Sequence, residues 1–253
     1  MFPWLKKQVS NNNHTAYAPD NTRIYAVGDI HGRFDLLKEI QNLIVADAIS
    51  CPDEIRKVII YIGDYIDRGL ESRQVIDSFI NNKLEGFEHI FIMGNHEYAM
   101  LNFLDNPIAG QVWLSWGGLA TMHSYGVNNN EKGRKLNLEE LCEAFKAAMP
   151  DSHLEFFRNL KVQHTEGDYL FVHAGIKPNV DIEKQTDTDM MMIREEFLFS
   201  DYPSKLKTIV FGHTIFEEPF YTTGKVAIDT GAYATGKLTA AVLEDNFVKF
   251  IST

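Results

Sequence analysis

Six side chains at or just after the ends of five apolar runs could bind metal ions. They offer carboxylate oxygen, amide oxygen or imidazole nitrogen, and they are Asp29, His31, Asp64, Asn95, His173 and His213. This donor set suits Mn²⁺, Fe or Zn²⁺ better than a metal that prefers thiolate. One carboxylate can bridge two ions, and ions about 3.5–4 Å apart clamp both the attacking and the leaving oxygen of an in-line displacement. The residue types therefore indicate metal-assisted displacement chemistry.

Other residues near these candidates could handle protons and phosphate. His96 follows Asn95 directly and need not be a ligand. Such a histidine can protonate a leaving oxygen, and a carboxylate such as Asp67 can orient and charge it. Arg68 and Arg194 offer the planar donor fork that fits phosphate. Two simpler interpretations stay open: Asp67 could cap the next helix, and Arg194 could pair with acids three or four residues away on a helix surface.

The elements that must position these residues alternate between strands and helices. Apolar runs predict strands at 24–27, 58–62 and 89–93. Apolar residues at helical spacing predict helices over 34–44 and 72–80. This order implies parallel strands joined by right-handed crossovers. The charged residues would then gather at the C-terminal ends of the strands, where open α/β sheets bind ligands.

The remainder of the chain is predicted to combine helices and short strands. Residues 97–160 have an amphipathic helical pattern, and we interpret them as a helical insertion packed beside the sheet, because no linker composition flanks them. Strands are predicted at 169–172 and 208–211. After residue 226, short apolar runs separated by tight turns predict strands paired antiparallel.

Three aromatic residues have two interpretations each. Trp113 and Trp116 could form a wall of a substrate site, but packing inside the helical insertion is favoured. Tyr233 could belong to an active-site loop, although an ordinary turn residue is the simpler interpretation. The histidines outside the metal-like blocks are interpreted as surface residues or as core residues with satisfied hydrogen bonds. They are His14, His89, His123, His153 and His164.

Composition narrows the class of protein. The 253-residue chain is 45% hydrophobic and 23% charged, which is ordinary for a globular protein. Its net charge of −11 argues against a general nucleic-acid or anionic-membrane binder. Two cysteines without a CxxC pair suit a reducing compartment. With no signal-peptide pattern and no apolar run of membrane-spanning length, a cytoplasmic protein is expected. We expect residues 1–22 to be a lead-in and residues 23–253 to form one domain.

Three blocks resemble the signatures of the phosphoprotein phosphatase family, within the calcineurin-like metallophosphoesterases. They are Gly28-Asp29-Ile30-His31-Gly32, Gly63-Asp64-Tyr65-Ile66-Asp67-Arg68-Gly69 and Gly94-Asn95-His96-Glu97. The later Val172-His173-Ala174-Gly175 and Gly212-His213-Thr214 are similar to its two remaining metal-histidine blocks. The resemblance implies a β-sandwich of two mixed sheets flanked by helices. Met93 stands where eukaryotic members usually have Arg, so the bacterial branch is the better match.

The resemblance also implies roles for the candidate residues. One metal would be held by Asp29, His31 and Asp64, and the other by Asp64, Asn95, His173 and His213. His96 with Asp67 would be the proton-donor pair, and Arg68 and Arg194 would bind phosphate. A metal-bridging hydroxide would attack phosphorus directly, with no phospho-enzyme. Mn²⁺ is the favoured metal, with Fe and Zn²⁺ as alternatives.

The expected function is a phosphoprotein phosphatase that acts on a phosphorylated protein or peptide, with phospho-Ser/Thr favoured and phospho-Tyr as a further substrate. The first alternative is a symmetrical diadenosine tetraphosphate hydrolase, a related enzyme that usually has Asp where this chain has Glu97. A remote alternative is a non-catalytic metal-binding scaffold. Such a scaffold would be expected to lose the catalytic histidine or metal ligands, and this chain keeps all of them.

Overall fold

The computed structural model describes residues 16–131, 134–200 and 207–253, so most of the expected lead-in lies outside the described residues. The strands are β1 (Thr22–Val27), β2 (Arg56–Tyr61), β3 (Glu88–Phe91), β4 (Asn130–Glu131), β5 (Arg134–Lys135), β6 (Gln163–Glu166), β7 (Tyr169–Val172), β8 (Thr208–Phe211), β9 (Phe220–Thr222), β10 (Lys225–Ala227), β11 (Thr239–Glu244) and β12 (Phe247–Ser252). The helices are α1 (Phe34–Ala48), α2 (Ser72–Asn81), α3 (Asn95–Asp105), α4 (Leu119–Ser124), α5 (Leu138–Ala148), α6 (Asp151–Arg158), α7 (Asp187–Met192), α8 (Glu195–Leu198) and α9 (Ala232–Thr235).

Ten of these strands form two mixed five-stranded sheets, as the family resemblance implied. The first sheet has the order β12-β11-β1-β2-β3, with β1, β2 and β3 parallel and β11 antiparallel to β1. The second sheet has the order β6-β7-β8-β10-β9, with β7, β8 and β10 parallel between antiparallel edge strands. The predicted β-sandwich of two mixed sheets flanked by helices is therefore confirmed.

Strand β2 shows why its sequence is a continuous apolar run. Val58 and Ile60 belong to the core between the two sheets. Ile59 and Tyr61, which alternate with them, belong to the core between the first sheet and the helices. A strand covered on both faces needs apolar side chains in both directions. All four residues are fully buried, so β2 forms the centre of the molecule and carries its C-terminal loop on a rigid base.

The helices cover the outer faces of the sheets. In α1, Asp35 lies in the first turn, where negative charge stabilises a helix N-terminus, and Leu37, Ile40 and Ile44 are buried. Beyond α3, a π-helical turn over Leu114–Gly118 leads into α4 and the rest of the predicted helical insertion. The longest described helix has 15 residues, and none in the described ranges combines the length and apolarity needed to cross a membrane.

The sequence pattern missed some pairing and some edge strands. The tail was expected to be antiparallel, but this prediction is wrong for β10, which pairs in parallel with β8. The β9–β10 hairpin folds back so that β10 enters between β8 and β9. Strand β6 has no apolar run because it lies at a sheet edge with Gln163 and Thr165 exposed. The short β4–β5 hairpin interrupts the predicted helical insertion.

Candidate active site

The candidate residues follow five strands from both sheets and meet at one edge of the sandwich. The strand ends supply Asp29 after β1, Asp64 after β2, Asn95 after β3, His173 after β7 and His213 after β8. Two contacts join the loops of the two sheets. The backbone N–H of His213 donates to Asp29 Oδ2 at 3.1 Å, and His173 Nδ1 lies 2.8 Å from the Ile62 carbonyl oxygen. Parallel strands thus bring both sets of loops to a common site.

Glycines allow the backbone to approach the candidate carboxylates. A Cβ atom added at Gly94 would lie 2.2 Å from Asp64 Oδ1, and one added at Gly212 would lie 2.1 Å from Asp29 Oδ1. These separations are far below van der Waals contact, so any larger side chain would displace the carboxylate. The glycines in these two motifs are therefore explained by the space that the neighbouring acids occupy.

Backbone strain is concentrated in the same loops. Of the eight described non-glycine residues with positive φ, five are at the site: His31, Asp64, Asp67, Arg68 and His213. Such conformations cost of order 1–3 kcal/mol each and persist only where the surroundings enforce them. Here the surroundings include hydrogen bonds from two successive backbone N–H groups to the Asp64 carbonyl oxygen. The loops are held in shapes that place their side chains at the site.

Asp64 lies between two histidines whose tautomers suit metal binding. Its Oδ2 atom is 3.5 Å from His31 Nε2 and 3.4 Å from His173 Nε2. Each histidine directs Nδ1 at a backbone carbonyl oxygen 2.8 Å away, Ile66 for His31 and Ile62 for His173. Because a carbonyl can only accept, Nδ1 carries the proton and Nε2 is left as the ligand atom. Burial lowers the pKa of His31 to about 3, so its ring is neutral, the form that binds metals.

A second group of ligand atoms meets around His173. Its Nε2 atom lies 2.9 Å from Asn95 Oδ1 and 3.2 Å from His213 Nδ1. Burial acts to lower the pKa of His173, but Asp64 and Asp29 outweigh it and raise that pKa to about 10, so the site stabilises positive charge here. The other ring nitrogen of His213, Nε2, is buried without a hydrogen-bond partner among the described residues. Converging oxygen and nitrogen ligand atoms in a place that favours positive charge fit a metal ion.

Not every expected ligand falls in these tight groups. Ligand atoms within 4.8 Å of one another form two clusters that share Asp64, one with His31 and His96 and one with His173 and His213. Asp29 lies beside them, where it accepts the His213 backbone N–H. His96, expected as a proton donor, has its Nε2 atom 3.8 Å from Asp64 Oδ2 and so belongs to the first cluster.

Asp229 is a buried acid at this site that the sequence did not single out. Burial and the charge of Asp229 both raise the pKa of Asp29 well above its usual range. Burial likewise raises the pKa of Asp229 to about 6. The missed signal was available, because Asp229 ends the apolar run 226–228 just as Asp29 and Asp64 follow theirs.

Asp67 and His96 form a tight hydrogen-bonded pair. His96 Nδ1 lies 2.6 Å from Asp67 Oδ2. Two further side chains donate to the same carboxylate: Trp113 Nε1 to Oδ2 at 2.7 Å and Thr121 Oγ1 to Oδ1 at 2.5 Å. Burial raises the pKa of Asp67, and the hydrogen bonds from these three side chains oppose that rise. Asp67 does not cap α2, whose N-cap residue is Glu71.

Glu97 holds the second and third blocks together. Its two carboxylate oxygens accept four backbone N–H groups at 2.8–3.3 Å, and the donors are Asp64, Tyr65, Ile66 and Gly94. Burial, followed by the Asp64 charge, raises the pKa of Glu97 to about 7. Glu97 therefore shapes the loop that carries Asp64, Asp67 and Arg68, a role that no local pattern could predict.

Aromatic rings border the arginine in the second block. The Arg68 guanidinium lies over the Tyr233 ring, 4.4 Å from its centroid, and Nη2 is 3.4 Å from His96 Nε2. Tyr233 also meets His31 edge to face at 5.3 Å, and the Trp116 ring lies 5.6 Å from that of His96. Tyr233 and Trp116 are thus at the site, whereas Trp113 is buried in the core beneath it.

Arg194 reaches the site from the turn between α7 and α8. Its Nη1 atom donates to the His213 carbonyl oxygen at 3.0 Å and lies 3.4 Å from Thr214 Oγ1. Within the described ranges it forms no ion pair with an acid. The structure therefore brings all ten predicted site residues to one region, with Arg68 next to the expected proton donor His96 and Arg194 next to the candidate metal ligand His213.

Comparisons with known proteins agree with this architecture. The family model described as calcineurin-like phosphoesterase matches residues 22–248. The chain is 27% identical over 233 residues to serine/threonine-protein phosphatase 2 of Salmonella typhimurium, covering 88% of this chain and 95% of that protein. It is 25% identical over 234 residues to an asymmetrical bis(5'-nucleosyl)-tetraphosphatase PrpE of Anoxybacillus flavithermus, covering 85% and 87%.

Solved structures share the fold at lower identity. A candidate diadenosine tetraphosphatase has a TM-score of 0.60 and 18% identity, covering 94% of this chain and 98% of its own. A mutant of a cold-active protein tyrosine phosphatase has a TM-score of 0.56 and 16% identity, covering 96% of this chain and 85% of its own. At these identities the likeness concerns the fold alone.

Proposed function

The chain belongs to the calcineurin-like phosphoesterase family, and we propose that it is a metal-dependent phosphoprotein phosphatase that hydrolyses phosphomonoesters on protein side chains, with phospho-Ser/Thr favoured. One observation carries the proposal. His96 Nε2 lies 3.8 Å from Asp64 Oδ2 and 3.4 Å from Arg68 Nη2, while its other nitrogen is bonded to Asp67. A proton on this atom would face the space between a candidate metal ligand and a candidate phosphate-binding arginine.

Two metal ions fit the residues present. We propose that one is held by Asp29, His31 and Asp64, and the other by Asp64, Asn95, His173 and His213. The mixture of oxygen and imidazole donors favours Mn²⁺, with Fe and Zn²⁺ as alternatives. Such ions, when bound, would supply Lewis-acid polarisation of the phosphoryl group and would make water acidic enough to act as the nucleophile near neutral pH.

The protein side chains would bind the phosphate and protonate the leaving group. Arg68 lies beside His96 and Arg194 beside His213, and their guanidinium groups would bind phosphoryl oxygens. His96 would donate its Nε2 proton to the leaving oxygen, as a positioned general acid. Asp67, bonded to Nδ1, would keep the ring in the orientation that aims Nε2 at that oxygen.

The choice of a phosphoprotein substrate has two supports. The Salmonella relative, which is named a serine/threonine-protein phosphatase, is matched over 95% of its length. Glu97 also departs from the Asp that is usual in the symmetrical dinucleotide hydrolases.

Both cysteines, Cys51 and Cys142, are buried and free. This condition suits a reducing compartment, so we propose a cytoplasmic setting.

Hydrolysis of dinucleoside tetraphosphates is the second candidate function. Several relatives carry that name, including a symmetrical enzyme of Nitrosospira multiformis that is 27% identical over 161 residues. The Trp116 ring is partly buried beside His96, and Tyr233 is exposed beside Arg68. Such rings can stack on a nucleobase.

A paired assay separates the two candidates. Phosphoserine, phosphothreonine and phosphotyrosine peptides and diadenosine tetraphosphate would be compared by kcat/KM, with Mn²⁺, Fe²⁺ and Zn²⁺ each added to metal-stripped protein. We expect the phosphopeptides to have the highest kcat/KM, and Mn²⁺ to support the highest rate. A higher kcat/KM for the dinucleotide with every metal would replace the phosphatase proposal by the second candidate.

A further inference from the structure

Trp113 is a fully buried residue of the helical insertion that packs in the core. Its ring lies 5.4 Å from that of Phe103 and 5.5 Å from that of Phe145, the latter nearly parallel at 26°. These contacts alone explain a large apolar side chain at this position. They do not explain a tryptophan, since a phenylalanine would fill the same layer without a polar atom.

The indole N–H has a specific acceptor. It donates to Asp67 Oδ2 at 2.7 Å, the same oxygen that lies 2.6 Å from His96 Nδ1. Thr121, also in the insertion, donates to the other oxygen at 2.5 Å. Asp67 is completely buried, so these three side chains determine the orientation of its carboxylate. Two of the three come from the insertion and not from the strand-end loops.

Two glycines that follow Trp113 in the sequence allow the insertion to pack closely against the loop that carries Asp67 and Arg68. A Cβ atom added at Gly118 would lie 2.6 Å from the indole ring, so the ring packs directly on the Gly118 backbone. A Cβ atom added at Gly117, whose φ is +112°, would lie 2.9 Å from the backbone nitrogen of Arg68. The two glycines therefore let one turn pack against both the indole and the loop that carries Asp67 and Arg68.

We propose that Trp113 is a positioning residue for leaving-group protonation. Its N–H fixes Asp67 Oδ2, and Asp67 in turn fixes the His96 ring that delivers the proton. As a water oxygen forms its bond to phosphorus, the bond between phosphorus and the ester oxygen breaks and its electron pair goes to the ester oxygen. The Nε2 proton of His96 joins that oxygen, so the products are inorganic phosphate and the free hydroxyl side chain. Loss of the indole N–H frees Oδ2 to turn, and the His96 ring turns with it. The inference rests on the proposed role of the Asp67–His96 pair.

The test is a change in leaving-group dependence caused by Trp113→Phe. A serine alkoxide leaves only with a proton, whereas 4-nitrophenolate leaves without one. We expect kcat for a phosphoserine peptide to fall about 10-fold, as part of the ~10²–10⁴-fold that general acid catalysis contributes. We expect kcat for 4-nitrophenyl phosphate, KM for both substrates and the bound metal content to stay nearly constant. An equal fall for both substrates, or no fall for phosphoserine, would overturn the inference.

Control variants separate packing from positioning. The quantity compared is the ratio of kcat for the phosphoserine peptide to kcat for 4-nitrophenyl phosphate. Phe103→Leu loosens the packing around the same indole but keeps its N–H, so it should leave this ratio unchanged. Thr121→Val removes the other donor from the insertion and should lower that ratio in the same direction, which keeps the test available if Trp113→Phe does not fold. Asp67→Asn tests the underlying pair. If it leaves the ratio unchanged, the proposed proton-donor role fails; if it lowers the ratio and Trp113→Phe does not, only the role of Trp113 fails.

Discussion

The Glu97 carboxylate accepts the backbone N–H of Asp64 at 2.9 Å, which links the third sequence block to the second. The bond is one of four that Glu97 accepts from backbone N–H groups. Four converging N–H donors require a carboxylate, whose two oxygens both accept hydrogen bonds. A side-chain amide at the same place would direct its own N–H groups at the backbone N–H groups. The shape of the loop that presents Asp64 therefore depends on a residue that is not itself a candidate metal ligand.

Glu97→Gln should weaken metal binding more than it weakens the fold. We expect a 10-fold to 100-fold loss of metal affinity, roughly the range seen when a group that supports a metal ligand is removed. Titration calorimetry with Mn²⁺ would measure it. Glu97→Asp is the matched comparison, because it keeps the carboxylate but withdraws it by one methylene, and its loss should be smaller. Equal affinity for wild-type protein and Glu97→Gln would contradict this view of Glu97.

His96→Asn should keep the fold and the metal content but lose most turnover. The expected fall in kcat for a phosphoserine peptide is ~10²–10⁴-fold, the usual contribution of general acid catalysis. Steady-state kinetics with metal analysis of the purified variant would measure both quantities. His123→Asn changes an exposed histidine of α4 and serves as the control, with activity expected to match wild type. Undiminished turnover in His96→Asn would remove His96 from the mechanism.

Arg194→Ala should raise KM for phosphopeptides. Its guanidinium already lies 3.0 Å from the His213 carbonyl oxygen, so phosphate bound there would meet a fixed donor. A charge-assisted hydrogen bond is worth ~1.5–3 kcal/mol, so we expect a roughly 10-fold to 100-fold rise. Arg158→Ala is the control, because Arg158 pairs at 3.8 Å with Asp105 and is exposed. If the two variants have the same KM, Arg194 does not bind substrate.

The Arg56–Glu166 ion pair joins the two sheets and should make stability depend on pH. Arg56 Nη1 and Nη2 each donate to a Glu166 oxygen at 2.9 Å, and the hydrogen bonds from Arg56 are the main cause that lowers the pKa of Glu166. A lowered carboxyl pKa adds stability above the unfolded pKa of about 4.3, and this stability is lost as pH falls through the folded pKa.

Glu166→Gln should therefore reduce the free energy of unfolding at pH 7 by about 1 kcal/mol, a value discounted because Arg56 is partly exposed. The difference from wild type should shrink as pH falls from the unfolded pKa of about 4.3 through the lower pKa of the folded carboxyl. Urea unfolding of wild type and Glu166→Gln, at pH 7 and at a pH below about 4, would measure this difference. Glu88→Gln removes the more exposed partner of Arg56 and should have a smaller effect. A pH-independent difference would mean that the charge of Glu166 is not responsible.

The sequence is enough to predict site residues that follow a strand, because an apolar run marks their place. It does not reveal residues whose role depends on hydrogen bonds to partners far away in the sequence. Asp64 and His173 can be identified because His173 follows an apolar run directly and Asp64 follows one after a single glycine. Glu97 and Trp113 do not, since their partners lie 33 and 46 residues away in the sequence. For the same reason, Trp113 was interpreted as core packing, and its bond to Asp67 could not be predicted without the fold.

The candidate ligands come from both sheets, with Asp64 and Asn95 after strands of the first and His173 and His213 after strands of the second. An ion bound by such a set would hold the two sheets together, and its binding free energy would add to the stability of the folded state. The availability of metal would then determine the resistance of the protein to unfolding and proteolysis as well as its catalytic rate. Chelation should expose the backbone at this edge to proteases before the rest of the molecule unfolds.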